Sequence, residues 1–212
     1  MSCARLHRLF DGLRRHRFPF DEDSLPQNGV YVLFEHGERA HDGLHRIVRV
    51  GTHTGPNRLG QRLAEHFLNE KKDRSIFRKN IGRALLNKRN DPFLAQWEID
   101  LTTKQARRQH GTEINYGRLS KVEAEVSKVI RSKFTFCVFQ IDDSSRRLEL
   151  ERRMIATINQ CGDCGPSGNW LGKFSTRAKI RQRGLWLEQG LEGQVMTFED
   201  VQALERRIGR DV

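Results

Sequence analysis

At 212 residues the chain has the size of one domain with elaborations, and 36% hydrophobic against 31% charged residues gives a core beneath a heavily charged surface. A formal net charge of +11 and a pI of about 10.0 point to a polyanionic partner, nucleic acid first and an anionic membrane second. No segment approaches the ~20 consecutive apolar residues of a transmembrane helix. Arg5, Arg8, Arg14, Arg15 and Arg17 interrupt any signal-peptide core, so a cytoplasmic protein is expected. Cys3, Cys137, Cys161 and Cys164 do not make a secreted disulfide framework in a chain this long.

Taken in order, residues 1–18 read as a basic helix whose Leu6, Leu9, Phe10 and Leu13 form one apolar stripe among arginines. It belongs to a basic arm, residues 1–27, whose outer face is placed to lie against phosphates. Two runs rich in β-branched and aromatic residues follow, Gly29 to Glu35 and Arg46 to Thr52, joined by a charged connector with Gly37 and Gly43; they read as a β-hairpin. Gly55-Pro56-Asn57 starts a helix that puts Arg62 and His66 four residues apart on one face. Next comes a helix with a strongly positive exterior: Lys71, Lys72, Arg74, Arg78, Lys79, Arg83, Lys88 and Arg89 stand against Asp73 alone, and phosphate contact is expected of them.

Residues of about 90–120 carry mixed signals and read as an insertion. Phe134 to Ile141 is the clearest strand, and Asp142-Asp143-Ser144-Ser145 supplies caps for the next helix. There Leu148, Glu151 and Ile155 share a face, which draws Glu151 toward the apolar interior; a metal ion or a buried arginine would account for it. Cys161-Gly162-Asp163-Cys164 has the gap of a zinc knuckle. With no histidine after His110 and the other cysteines distant in sequence, it reads instead as a turn at a helix C-terminus. A basic extension, residues 171–212, carries Lys173 and Arg177 and ends in a helix near Thr197 to Ile208 for packing or dimerisation.

Gly29-Val30-Tyr31, Arg49-Val50-Gly51, the Arg62-x-x-x-His66 pair, Glu151 and Asn169 follow one another as the motif positions of the GIY-YIG nuclease superfamily do, and residues 28–170 resemble it. One position departs: the tyrosine that opens the second tripeptide is Arg49 here. The resemblance implies an α+β fold, with a small three-stranded, mainly antiparallel sheet flanked by helices. It also implies an endodeoxyribonuclease in which Tyr31 is general base or orients the water, Arg62 binds the scissile phosphate, His66 assists the tyrosine, Glu151 holds Mg²⁺ (or Mn²⁺) and Asn169 braces the site.

A phenol ordinarily titrates near 10, so Tyr31 needs cationic neighbours to act as a base, and Arg49, Arg62 and His66 are the candidates. A single likely carboxylate ligand suits one metal ion better than two. Arg49 either lends charge to the transition state or marks a weakened enzyme. The leading role is a restriction or defence nuclease acting on double-stranded DNA, with a homodimer one route to cutting both strands. A structure-specific repair or mobile-element nuclease is the alternative role, and a catalytically silent DNA-binding protein the alternative class.

Overall fold

The computed structural model describes residues 2–209, in which the chain runs α1 (Ser2–Asp11), β1 (His16–Arg17), β2 (Gly29–Ala40), β3 (Leu44–Gly51), α2 (Leu59–Phe67), α3 (Ile76–Lys88), α4 (Leu94–Glu98), α5 (Lys104–His110), α6 (Tyr116–Lys133), β4 (Phe134–Gln140), α7 (Ser144–Asn159), α8 (Ala178–Arg183) and α9 (Phe198–Ile208). The strands form one antiparallel sheet in the order β1-β4-β2-β3, so β2 is paired on both sides and β3 is an edge. This is the expected α+β architecture with one strand more. The added strand, β1, is two residues paired to Thr135 and Phe136, too short for any hydrophobic period to announce. It also shortens the expected N-terminal helix, which stops at Asp11.

Period-two alternation divides the sheet's side chains between two cores. Val30, Val32 and Phe34 face α1, α7 and α9, where Leu6, Phe10, Met154, Ile158, Val201 and Leu204 are buried. Tyr31 and Leu33 face the opposite layer, where Leu63, Phe67, Phe77, Ile81, Val126 and Ile130 of α2, α3 and α6 pack with Trp97, Trp170 and Trp186. The C-terminal residues are therefore part of both cores: Ile180 and Trp186 fill one, Leu185, Leu187, Val201 and Leu204 the other.

Helix starts follow local chemistry. Ser75, Asn115 and Asp143 each accept a backbone N–H from the first turn they precede, and Thr197 forms a capping box with Asp200. The hairpin differs from its expected form. The stretch up to Ala40 is strand, not connector, and the turn is confined to His41, Asp42 and Gly43. Its charges disguised it: Glu38 is buried, ion-paired to the fully buried Arg46 at 2.6 Å.

The insertion at 90–120 folds onto α3, with Trp97 fully buried and its indole N–H donating to the Lys79 carbonyl. Beyond it lies α6, whose Glu123 sits within the protein and binds the fully buried Arg78 at 2.8 Å. The same carboxylate accepts the Lys72 backbone N–H. Removing one partner of a buried pair strands the other charge. Glu123→Ala is expected to cost roughly 3–5 kcal/mol of stability, read as a lowered urea midpoint.

Candidate active site

Tyr31 stands directly opposite Gly51 in the β2–β3 pairing. A Cβ at position 51 would lie 2.3 Å from the Tyr31 hydroxyl oxygen, so glycine is required for the phenol to cross the neighbouring strand. At position 29 a Cβ would lie 2.3 Å from the Phe139 carbonyl of β4, which fixes the first glycine in the same way. The phenol is held between these strands with no exposure of its own, and its oxygen lies 2.7 Å from His66 Nε2.

The other ring nitrogen of His66 lies 2.7 Å from Ser75 Oγ, and that oxygen accepts the Arg78 backbone N–H at 3.2 Å as the cap of α3. The serine oxygen has a second lone pair, so its hydroxyl either donates to His66 Nδ1 or accepts from Nδ1–H. In the first tautomer Nε2–H donates to the Tyr31 oxygen, and in the second the phenol donates to Nε2. Full burial, with Arg62, Arg49 and Arg78 nearby, lowers the His66 pKa well below the ordinary value, so the imidazole is neutral.

Arg62 projects from the same face of α2 and donates to Glu65 at 3.0 Å and to the Arg74 carbonyl at 3.2 Å. Burial pulls its pKa down, but the adjacent Tyr31 phenol and Glu65 carboxylate more than offset this and raise it. Arg62 lines a cavity of about 340 Å³ together with Thr52, His53, Arg58, Gln61 and Arg74. Arg58 and Gln61, which the sequence reading passed over, lie one turn before Arg62 and Glu65. The four-residue spacing of Arg58 and Arg62 was the signal available.

Glu151 comes to this region around the β3 edge. Its Oε1 accepts the Thr52 backbone N–H at 3.1 Å, and its other oxygen has no hydrogen bond among the described residues. Burial raises its pKa, against the opposing pull of Arg49, the Thr52 amide and Arg62. A second cavity, about 500 Å³, is lined by Glu151 with Arg49, Ile76, Asn80, Arg152 and Leu187. Two of its lining residues, Arg49 and Asn80, each carry a buried donor, Nε and Nδ2, without a partner among the described residues. Tyr31, Arg62 and Glu151 thus do not line one shared cavity. They meet across Thr52, which lines the first cavity and bonds the carboxylate of the second.

Asn169 is brought to neither cavity; it is exposed in the turn between Ser167 and Trp170. Asn80, buried beside Glu151, was missed because it falls within the apolar face of α3. A lone amide among Phe77, Ile81 and Ala84 was the signal.

The expected phosphate-binding face of α3 is corrected in part. Arg78 is paired with Glu123, Arg83 with Glu98 at 2.6 Å, and Lys72 and Lys79 with Asp73, and all four cations are buried. The partners of Arg78 and Arg83 come 45 and 15 residues later in the chain, beyond the reach of local charge counting, while Asp73 takes both lysines. Lys71, Arg74 and Lys173 are exposed, as is Arg177, which lies 3.5 Å from Glu98.

With this geometry in hand, comparison with known families matches residues 3–210 to the GIY-YIG domain. No curated protein and no solved structure matches the chain.

The buried neutral imidazole sets a pH dependence. The unfolded chain takes up a proton on histidine near 6.5 and the folded site resists it, so stability falls as pH drops below about 6.5. His66→Gln keeps one donor and one acceptor without titrating. It is expected to flatten the slope of melting temperature against pH between about 7 and 5 relative to the parent.

Proposed function

The chain belongs to the GIY-YIG family of nucleases, and we propose that it is a Mg²⁺-dependent endonuclease that hydrolyses phosphodiester bonds of duplex DNA in a restriction or defence role. The observation that carries the reading is the chain of contacts from Ser75 through His66 to the buried Tyr31 hydroxyl, with Arg62 beside the phenol and Glu151 across Thr52.

Glu151 suits a divalent ion: its carboxylate is disfavoured as a bare charge by burial, has one oxygen without a hydrogen bond among the described residues, and faces open space. A cation bound there would supply Lewis-acid stabilisation of the leaving oxygen. The chain's own residues do the rest. Arg62 offers a planar fork to the non-bridging oxygens, with Arg58 and Arg74 extending positive charge along the same cavity. Tyr31, held by its hydrogen bond to His66, orients the attacking water or takes its proton. Arg49 lines the Glu151 cavity, and its charge would meet developing negative charge where the tyrosine of the second tripeptide is absent. Asn80, rather than Asn169, is positioned to brace that side.

Arg49 also motivates the rival reading of a silent DNA-binding protein, and cleavage decides between them. Wild type with Mg²⁺ is expected to cut plasmid and phage DNA into a fixed fragment pattern. Tyr31→Phe and Glu151→Gln should each lose roughly 10²–10⁴-fold in rate while remaining folded. Binding without cutting, across linear and branched substrates, would leave only the silent protein. Cutting confined to flaps or junctions would move the role to repair.

Glu151→Gln has a second expected effect. Burial of the carboxylate is a cost the neutral amide avoids, so the variant should melt no lower than wild type in the absence of divalent ions. Added Mg²⁺ should raise the melting temperature of wild type alone, checked by differential scanning calorimetry.

A further inference from the structure

Away from the catalytic cavities, at the tip of the hairpin, four side chains from three distant segments converge. Cys3 lies in the first turn of α1, His41 in the β2–β3 turn, and Cys161 and Cys164 just beyond the C-terminus of α7. His41 Nε2 lies 3.4 Å from the sulfur of Cys3, 3.6 Å from that of Cys161 and 3.0 Å from that of Cys164. The Cys3 and Cys164 sulfurs are 3.3 Å apart, and all four ligand atoms fall within 4.8 Å of one another. Zinc–sulfur bonds of about 2.3 Å and zinc–nitrogen bonds of about 2.0–2.1 Å give a tetrahedron with edges of roughly 3.5–3.8 Å. The cluster already has nearly that size.

We propose that Cys3, His41, Cys161 and Cys164 form a structural zinc site that fastens the N-terminal helix and the hairpin tip to the end of the helix carrying Glu151.

Three observations support it beyond proximity. His41 and Asp42 occupy the turn at φ 41° and 58°, a left-handed backbone that asparagine or glycine fills more easily, and the conformation delivers the imidazole to the sulfurs. A second histidine, His7, lies beside the cluster but has both nitrogens engaged: Nδ1 is 3.0 Å from the Cys3 carbonyl oxygen and Nε2 accepts the Ile47 N–H at 3.2 Å. It is a packing neighbour, and the ligand set closes at four, as a structural rather than catalytic zinc requires. The Cys161-x-x-Cys164 segment turns back on itself, with the Cys164 N–H directed at the Cys161 carbonyl, which brings both sulfurs to one point. α7 runs eight residues, about 12 Å, beyond Glu151 before the chain reaches Cys161, so this site and the Mg²⁺ site are separate. A metal joining segments so far apart in sequence removes much of the unfolded chain's freedom.

The rival is a Cys3–Cys164 disulfide, which would leave His41 and Cys161 without a purpose. The test uses the full chain purified under reducing conditions without added metal. Elemental analysis should find one zinc per chain, retained in Glu151→Gln and lost in the Cys161→Ser/Cys164→Ser double variant. Because that variant can also fail by misfolding, wild-type chain exchanged into Co²⁺ provides an independent readout. It should show thiolate-to-cobalt charge transfer and the intense visible bands of a tetrahedral site, and both should disappear on zinc addition. Chelation should lower the melting temperature and zinc should restore it. The proposal is overturned if wild type holds no zinc and yields no tetrahedral cobalt spectrum, if mass spectrometry finds Cys3 joined to Cys164, or if the zinc is lost with Glu151→Gln instead.

Discussion

The crossing of the Tyr31 side chain over the bare Cα of Gly51 is the constraint on which the site depends. Because nothing projects from position 51, the phenol lies flat across its neighbouring strand and reaches the imidazole of α2. That imidazole must then live uncharged among Arg49, Arg62 and Arg78. The arrangement holds because burial and like charge both oppose its protonation, while the serine cap of α3 gives it a neutral partner. One missing side chain thus fixes where a strand, a helix and the cap of a second helix must meet.

Positive charge is sorted by depth. Arg46, Arg78 and Arg147 are wholly enclosed and bonded to carboxylates or carbonyls, so they serve as internal struts. Arg49, Arg58, Arg62, Arg74 and Arg152 instead line the two cavities. The internal pairs Arg46–Glu38, Arg78–Glu123 and Arg83–Glu98 are each neutral, so they leave the +11 excess to the rest of the chain.

This depth is what the sequence conceals. Tyr31, Arg62, His66 and Glu151 were picked out by the order of motif positions along the chain, with helical spacings of three and four supporting Arg62, His66 and Glu151. The capped starts of α7 and α9 were legible for the same local reason. Arg78 was misread as a surface cation because its partner, Glu123, lies on α6, a helix whose own apolar positions are thinly spread among charges. Asn80 was hidden by its apolar surroundings, and the partners of the Cys161–Cys164 pair lie at the opposite end of the chain in Cys3 and on a turn in His41. What depends on neighbours far along the chain has no local period to betray it. Glu38 and Arg46 show the converse case, where two charges facing each other across a hairpin made a buried strand look like a loop.

Strand β3 has one further property. Its outer backbone groups are taken up by the chain itself: the Ile47 N–H by His7, the Val48 carbonyl by the Trp186 N–H, and the Thr52 N–H just beyond it by Glu151. A second copy recruited to sever the opposite strand of a duplex would find these rungs of the ladder already filled. A twofold assembly that used this side of the molecule would then have to be built from helices and loops rather than by pairing along β3, and the two scissile phosphates would be spaced by that contact.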